Sequence, residues 1–453
     1  MIKEDEISSS EIHSKPNIFM KTLRILTAVL SVFSAVLPVL AEKAPANDMA
    51  IPSEFYILKG MSHDFFTQSF LRRWNPNDFH TRFGGECIYS RRIPGVATVS
   101  SAKEGDLMRI ELVEGIGFNT IACDSATLHV GDRTRCAGKE VGVQIIGDSF
   151  VQGAFYRTAL VDSLNVPGIR MIGLRRLSGS DTHNDEGRGG WTLKDYFTIS
   201  KGEMRPYSGF MQPNGEMRYL GDIRFWINCA RVDAGELTDF ESRYQCGRFK
   251  EAASRFDSAT GRPLKPRKND LMYDSEASHY IIYDGRRWKT AGNIDESDWS
   301  FNYSKYLEIW NLDAPEFLFE TLGLNDFRDS LDADYSEWDS MVEKMKESYL
   351  KARPDGHFAI VIPCSSCGSM NNRRGDFTAR QNACMWRFRK HLVDTFDHRT
   401  TEGFYLVDMG ITIDNENGYR TDAEGLQTGN PHPYPNYSTM GLPLAAFIQW
   451  HRK

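Results

Sequence analysis

The sequence predicts an α/β protein with a parallel sheet, preceded by an N-terminal β-sandwich. From residue 141 onward, apolar strand-like runs alternate with helical segments, a pattern typical of parallel strands joined by helices. Residues 48–140 instead contain short alternating runs separated by Gly/Asp turns, as all-β domains do. The length of 453 residues is more than one hydrophobic core usually serves, so we expect two domains.

The N-terminal segment 1–41 has the features of a secretory signal peptide. Lys21 and Arg24 precede an apolar run over 25–40, and Val39-Leu40-Ala41 fits a cleavage site. Met20 lies directly before Lys21, which makes it a second possible start. We therefore expect an exported protein, periplasmic or extracellular, without stable membrane insertion after cleavage. The alternative is a membrane anchor, because the run is close to the length that a bilayer requires.

The β-sandwich is expected over residues 48–140 as an accessory domain. Alternating runs at 108–113 and 126–130 are separated by turns at 104–106 and 131–132. This region either binds sugar or only supports the catalytic domain, and the sequence leaves both roles open.

The catalytic domain is expected over residues 141–453. Its predicted strands are 141–147, 168–173, 316–322, 357–362 and 403–408. Its predicted helices are 150–163, 335–351 and 379–396. In the second helix, apolar residues recur at helical spacing, which indicates a face turned toward the core.

A loop-rich insertion is expected within this domain at about 198–312, where far more chain is present than one β–α step needs. The segment is rich in Gly, Asp, Arg and aromatic residues. It either forms a lid or wall of a substrate site, or it packs its aromatic side chains on itself.

Composition excludes several classes of function. The net charge is −7 and no block of basic residues is present, so we expect no nucleic-acid partner. Eight cysteines allow up to four disulfides in an exported chain. The CxxC of Cys364 and Cys367 has no second CxxC to complete a zinc site, and no HxH or HxxxH pair occurs. We expect no metal and no cofactor.

Gly147-Asp148-Ser149 is the most informative short stretch. It lies between the apolar run 141–147 and a helix-compatible segment, so Ser149 is placed at the carboxyl end of a sheet, where α/β folds carry their chemistry. Gly147 permits a tight turn. The competing interpretation is that Ser149 is an ordinary helix N-cap.

Three later blocks supply what a serine nucleophile needs. His432, in Asn430-Pro431-His432-Pro433, is a candidate general base. The backbone N–H groups of Ser149 and Gly190 and the amide of Asn325 are candidate oxyanion donors. Glycine at 190 lets the backbone approach a substrate.

Together these blocks resemble the SGNH (GDSL-type) hydrolase superfamily. The order Ser, Gly, Asn, His is reproduced by Ser149, Gly190, Asn325 and His432, and the resemblance covers residues 141–450. It implies a flavodoxin-like three-layer α/β/α domain and hydrolysis of acyl esters. The stretch Glu186-Gly187-Arg188-Gly189-Gly190-Trp191-Thr192 and the preceding β-region resemble exported esterases that act on decorated glycans.

One position departs from that family. The aspartate three residues before the histidine, which orients the imidazole, is replaced by Gly429. The candidates are then a Ser149–His432 dyad supported by a backbone carbonyl, or an acid supplied by Asp422 or Glu424.

Further residues near these blocks have expected supporting roles. Asp148 is expected to stabilise the turn and Asp326 to brace Asn325. Arg188, Trp191 and His183 are candidate contacts to a sugar or a uronate, with a core role for Trp191 and an exposed loop position for His183 as alternatives.

The leading hypothesis is therefore a secreted serine esterase that removes O-acyl groups, acetyl above all, from an acylated poly- or oligosaccharide. A lipase or thioesterase of the same fold is the competing enzyme hypothesis. The alternative from another class is a glycan-binding protein whose missing aspartate marks lost catalysis.

Overall fold

A computed structural model describes residues 49–72, 79–90, 95–115, 117–134, 138–177, 183–202, 207–364, 379–415, 417–423, 425, 431–433 and 437–452. The chain from Asp48 to Lys453 forms one compact unit. The predicted signal peptide at 1–41 lies outside the described residues.

The described strands and helices follow in chain order. The strands are β1 (Glu54–Leu58), β2 (His63–Phe66), β3 (Phe79–Gly84), β4 (Ile88–Ser90), β5 (Val96–Val99), β6 (Asp106–Glu114), β7 (Thr120–Gly131), β8 (Val141–Gly147), β9 (Ile169–Met171), β10 (Arg175–Arg176), β11 (Asn184–Gly187), β12 (Met211–Pro213), β13 (Arg218–Asp222), β14 (Asp270–Asp274), β15 (His279–Tyr283), β16 (Trp288–Thr290), β17 (Trp299–Phe301), β18 (Phe317–Glu320), β19 (His357–Ile362) and β20 (Phe404–Asp408). The helices are α1 (Ser149–Gln152), α2 (Phe155–Arg157), α3 (Leu193–Tyr196), α4 (Ile223–Asp233), α5 (Phe240–Cys246), α6 (Lys250–Ala253), α7 (Tyr303–Trp310), α8 (Leu324–Phe327), α9 (Ser336–Ala352), α10 (Ala379–Phe396) and α11 (Tyr437–His451).

The central sheet has the order β10-β11-β8-β18-β19-β20, with β9 also paired to β8. All its pairings are parallel except β10 with β11. The central strands β8, β18 and β19 are buried along most of their length and mainly apolar, as parallel strands covered on both faces require. The five predicted strands are confirmed as β8, β9, β18, β19 and β20, and the α/β class with a parallel sheet is confirmed with them.

Two of the three predicted helices are confirmed as continuous elements, α9 and α10. The third, predicted over 150–163, is broken into α1, α2 and a π-helical turn at Thr158–Ser163. The break falls at Ala154, whose φ of 65° is left-handed and cannot continue a right-handed helix.

The N-terminal strands form two sheets, ordered β1-β7-β6-β3 and β2-β5-β4. Both contribute to one hydrophobic cluster, in which the Phe55 and Phe65 rings lie 5.0 Å apart. Buried hydrogen bonds join this region to the α/β part of the chain. Arg389 Nε donates to the Ala50 carbonyl at 2.7 Å, and Trp386 Nε1 donates to the Phe70 carbonyl at 3.0 Å. The β-region is therefore part of the same compact unit as the central sheet.

Residues 198–312 contain more regular structure than the loop-rich insertion we expected. They hold β12 to β17 and α4 to α7, with a four-stranded sheet ordered β13-β14-β15-β16. Many of their aromatic side chains are buried against one another. The Trp226 and Phe256 rings stack at 4.2 Å, and the Phe210 and Tyr306 rings stack at 4.2 Å. Self-packing, the second of the two alternatives, thus accounts for much of the aromatic content.

Within the described ranges, no helix is both long and apolar enough to cross a membrane. Cys87, Cys123, Cys229, Cys246 and Cys384 are not in disulfides. Cys136 and Cys367 lie outside the described residues.

Candidate active site

Ser149 is the first residue of α1, directly after β8 reaches the carboxyl end of the central sheet. The N-cap of that helix is Asp148, whose Oδ1 accepts the Phe150 N–H at 3.0 Å. The capping role considered for Ser149 therefore belongs to its neighbour, and the serine hydroxyl is not used as a cap. Glycine at 147 is required by close packing, because a Cβ there would lie 2.0 Å from Thr321 Oγ1.

His432 lies at hydrogen-bond distance from the serine. Its Nε2 is 2.8 Å from Ser149 Oγ. The imidazole packs between the Phe150 and Phe155 rings, at centroid distances of 5.1 and 5.4 Å. Burial, together with the charge of Arg420, lowers the pKa of His432 to about 4. At neutral pH the ring is uncharged, so Nε2 can accept the serine proton.

Gly190 lies in the turn that follows β11, the strand paired with the last residues of β8. Its φ is 76°, in the left-handed region that favours glycine, and a Cβ there would point into open space. The preceding Gly189 N–H donates to Gln152 Oε1, which fixes the turn against α1. Within the described part of the chain, the N–H groups of Ser149 and Gly190 donate to no protein acceptor, so both are available to an oxyanion.

Asn325 follows β18, the neighbour of β8 on its other side. Its Nδ2 donates to Asp148 Oδ2 at 3.2 Å and to the Trp191 carbonyl at 3.1 Å. These two bonds use both hydrogens of the amide. For Asn325 to stabilise an oxyanion, one of them must open or be shared with the substrate.

Asp326 connects the two loops that carry the candidate oxyanion donors. Its Oδ1 accepts the Leu193 N–H at 2.9 Å, and its Oδ2 accepts the Gly323 N–H at 3.0 Å. The carboxylate thereby holds the segment after Gly190 beside the turn that presents Asn325. Its hydrogen bonds join backbone groups of two different loops, and none to the Asn325 side chain is found within the described residues.

Three carboxyl groups lie on the segments around Ser149, of which Asp148 and Glu320 are buried and Asp326 is partly buried. Burial raises the pKa of Asp148 to about 7, that of Glu320 to about 8 and that of Asp326 to about 6. The charge of Asp326 further raises the pKa values of Asp148 and Glu320, and the charge of Asp195 raises that of Asp326. Glu320 Oε1 accepts the Leu322 N–H at 2.7 Å, while Oε2 is buried and has no hydrogen-bond partner among the described residues. We did not single out Glu320 from the sequence. The available signal was a carboxyl group ending the apolar run Phe317–Phe319.

Two residues that we expected to contact a sugar, Arg188 and Trp191, are instead buried. Arg188 has no exposed surface; its Nη1 donates to Glu186 Oε2 and its Nη2 to the Tyr207 carbonyl, both at 2.6 Å. A guanidinium enclosed in this way cannot reach a substrate. Trp191 is only 7% exposed and packs edge-on against Tyr196 at 4.9 Å, in agreement with the core alternative.

His183 lies away from the site. It precedes the first residue of β11, whereas Gly187 at the other end of that strand pairs with Gly147. Four residues of extended chain correspond to about 13 Å. Its ring is half-buried, and Nδ1 accepts the Met171 N–H at 3.1 Å.

The residue that orients His432 stays a prediction. Asp422 is half-buried, and its carbonyl accepts the Gly425 N–H at 3.0 Å. Glu424 and Gly429 lie outside the described residues. Among the residues that the structure describes, no carboxylate raises the pKa of His432, and no group of three or more His, Cys, Asp or Glu is arranged to hold a metal ion.

No protein-family model and no curated protein matches the sequence. Solved structures similar to this chain include a family 3 carbohydrate esterase from Clostridium thermocellum, with 11% identity and a TM-score of 0.29, covering 67% of this chain and 92% of that one. A family 3 carbohydrate esterase from Talaromyces cellulolyticus has 11% identity and a TM-score of 0.29, covering 68% and 94%. Phospholipase A1 from Streptomyces albidoflavus NA297 has 7% identity and a TM-score of 0.27, covering 68% and 98%.

The chain resembles SGNH hydrolases through its four blocks and through the distances that join their residues.

Proposed function

We propose that this protein is a serine ester hydrolase of SGNH type with a Ser149–His432 catalytic dyad. The observation that carries the proposal is the 2.8 Å separation of Ser149 Oγ and His432 Nε2 at the carboxyl end of the parallel sheet. The lowered pKa of His432 supports the role of a neutral base.

In the proposed reaction, Ser149 Oγ attacks the ester carbonyl carbon while His432 takes the hydroxyl proton. The tetrahedral oxyanion is held by the N–H groups of Ser149 and Gly190 and by the Asn325 amide. His432 then gives the proton to the departing alcohol. Water attacks the acyl-enzyme with His432 again as base, which releases the carboxylic acid and restores Ser149.

The proposed substrate is an O-acyl ester of a carbohydrate, acetyl above all. The support is the resemblance of the stretch 186–192 and of the preceding β-region to exported glycan esterases. The same proposal takes residues 141–453 as a three-layer α/β/α domain and 48–140 as a β-sandwich. It takes 1–41 as a signal peptide that directs export. Asp422 and Glu424 remain the proposed acids for His432, with a carbonyl-supported dyad as the alternative.

The test is hydrolysis of 4-nitrophenyl acetate by the wild type and by Ser149→Ala. Ser163→Ala is a matched control, because Ser163 is an exposed serine outside the site. We expect Ser149→Ala to lose kcat by about 10³-fold or more, as loss of a serine nucleophile does elsewhere. The control should keep wild-type rates. A wild type without serine-dependent turnover would refute the proposal and favour a glycan-binding protein without catalysis.

The acyl preference separates the two ester-hydrolase hypotheses. Comparing 4-nitrophenyl acetate with the octanoate and palmitate esters, we expect the highest kcat/KM on acetate. A strong preference for the long chains would instead identify a lipase or thioesterase.

A further inference from the structure

The insertion contains a cavity of about 660 Å³ whose lining residues include none of the catalytic set. It is bounded by the start of β13 and β14, by the segment 254–267, and by the end of α7. This volume is in the range of small-molecule binding sites. We call it the cationic pocket, because its charged lining residues are Arg218, Arg255, Lys265, Arg267 and Asp270.

Its charge is unusual for this chain. Four cations and one carboxylate leave an excess of three positive charges in the lining, whereas the whole protein has a net charge of −7. The single carboxylate, Asp270, is already used, since it pairs with Arg218 and its Oδ2 accepts the Arg267 N–H at 2.6 Å. Of the other three cations, Arg267 is attracted to the same Asp270 carboxylate, whereas Arg255 and Lys265 have no acidic partner among the lining residues that the structure describes.

The cations lie close enough to influence one another. Partial burial and the neighbouring charge of Arg267 lower the pKa of Arg255. Its Nη1 makes a 3.3 Å hydrogen bond to the Ile309 carbonyl, and its guanidinium lies 5.6 Å from the centre of the Trp310 ring. Crowded like charges without a counterion cost free energy, and a bound anion would recover it.

The pocket is also pre-organised and partly apolar. Phe256 and Pro263 form an antiparallel bridge, and the Leu264 N–H donates to the Arg255 carbonyl at 2.9 Å. The Phe256 ring is stacked on buried Trp226, which holds the segment in place. Leu264 remains 59% exposed at the rim. A ligand that combines an anionic group with an apolar face matches both parts of this lining.

We propose that the cationic pocket binds a carboxylate-bearing saccharide, such as a uronic acid unit. Arginine side chains suit the planar carboxylate, and Leu264, which is exposed at the rim, suits the C–H face of a sugar ring. The saccharide identity rests on the proposed function, whereas the preference for an anion rests on the pocket alone. The site would hold an acidic glycan at a place other than the catalytic serine.

The experiment measures binding of trigalacturonate by isothermal titration calorimetry, with maltotriose as the neutral probe and inorganic sulfate as the simple anion. The full-length protein is compared with Lys265→Glu/Arg267→Glu. The matched control is Lys268→Glu/Arg286→Glu, which makes the same change of charge at exposed positions of the insertion outside the pocket lining. Thermal melting checks that each variant is folded.

We expect trigalacturonate to bind the wild type and the control alike, and the pocket variant at least about tenfold more weakly. Added NaCl should weaken the binding. Equal affinity in the pocket variant and the control would overturn the proposal. If sulfate bound as tightly as trigalacturonate, the preference for a saccharide would be overturned. If maltotriose bound as tightly as trigalacturonate, the preference for an anion would be overturned.

Hydrolysis of 4-nitrophenyl acetate separates this proposal from the proposed function. Serine-dependent turnover without trigalacturonate binding would refute only the pocket. Binding that depends on Lys265 and Arg267 in a protein without turnover would refute only the esterase.

Discussion

At the carboxyl end of the central sheet, the buried carboxyl groups of Asp148 and Glu320 and the partly buried Asp326 lie around the serine, whereas the cationic pocket has four cations and one carboxylate. Burial raises the pKa values of Asp148 and Glu320 toward neutrality, so protons reduce the charge there. In the cationic pocket, a change of protonation does not reduce the charge in this way, because arginine stays charged.

The two sites would therefore stabilise an anion in different ways. The candidate oxyanion hole, formed by Ser149, Gly190 and Asn325, relies on neutral N–H donors for a charge that exists only during the reaction. The cationic pocket offers full charges, which suit an anion that is present throughout binding. The comparison predicts that variants at the serine site change kcat, and that variants in the pocket change binding of acidic glycans.

The largest effect within this comparison is expected at Asn325. We expect Asn325→Ala to lower kcat by about 10²–10³-fold with little change in KM, because an oxyanion donor acts mainly in the transition state. Steady-state kinetics on 4-nitrophenyl acetate measure the two parameters. Asn119→Ala, at an exposed asparagine of the β-region, is the control. An unchanged kcat would remove Asn325 from the oxyanion hole and leave it as a structural link between Asp148 and the Trp191 carbonyl.

The next effect is on the pH dependence. His432 must be neutral to act as a base, so kcat/KM should rise with pH through about 4. Asp148 loses its proton near pH 7, and its carboxylate then competes with the oxyanion for the Asn325 amide. We therefore expect kcat/KM to fall above about pH 7.

Asp148→Asn tests the origin of the predicted decline in kcat/KM above about pH 7. It removes the ionisation at position 148, so the decline above pH 7 should disappear while the rise near pH 4 remains. The pH profiles of both proteins on 4-nitrophenyl acetate provide the measurement. A decline that persists in Asp148→Asn would assign the upper limb to another group.

Much of the fold and of the candidate site was predictable because its signals are local. The apolar runs at 141–147, 357–362 and 403–408 became strands within a residue of their expected ends, since a buried parallel strand needs a continuous apolar stretch. Ser149 and His432 were identified by their short motifs, and the fold brings them to 2.8 Å.

What was not predictable depends on distant neighbours. Arg188 looks in sequence like an exposed cation, but Glu186 and the Tyr207 carbonyl allow it to be buried. The break at Ala154 and the anchoring of the β-region by Arg389 likewise come from packing. The cationic pocket joins residues from 218 to 310, so no single stretch of sequence reveals it.

The smallest expected effect is on the stability of the fold. It tests whether ionisation of the buried Glu320 lowers the free energy of unfolding. The folded-state pKa of Glu320 is raised to about 8 from an ordinary value of 4.5. Below pH 4.5 the folded and unfolded states are both protonated. Between pH 4.5 and 8 only the unfolded state releases the proton, so the free energy of unfolding falls as pH rises. Above pH 8 the cost stays constant.

Glu320→Gln should remove this dependence. Relative to the wild type, we expect its Tm to rise by on the order of 1–4 °C between pH 5 and pH 9. Any loss of stability caused by the new amide is present at both pH values, so it cancels when the Tm change at pH 5 is subtracted from that at pH 9. The exposed Glu347→Gln is the matched control and should follow the wild type at both pH values. If the Tm difference between Glu320→Gln and the wild type were the same at pH 5 and pH 9, Glu320 would be ionised in the folded protein. The contrast with the cationic pocket would then be lost, because the serine site would also hold a permanent buried charge.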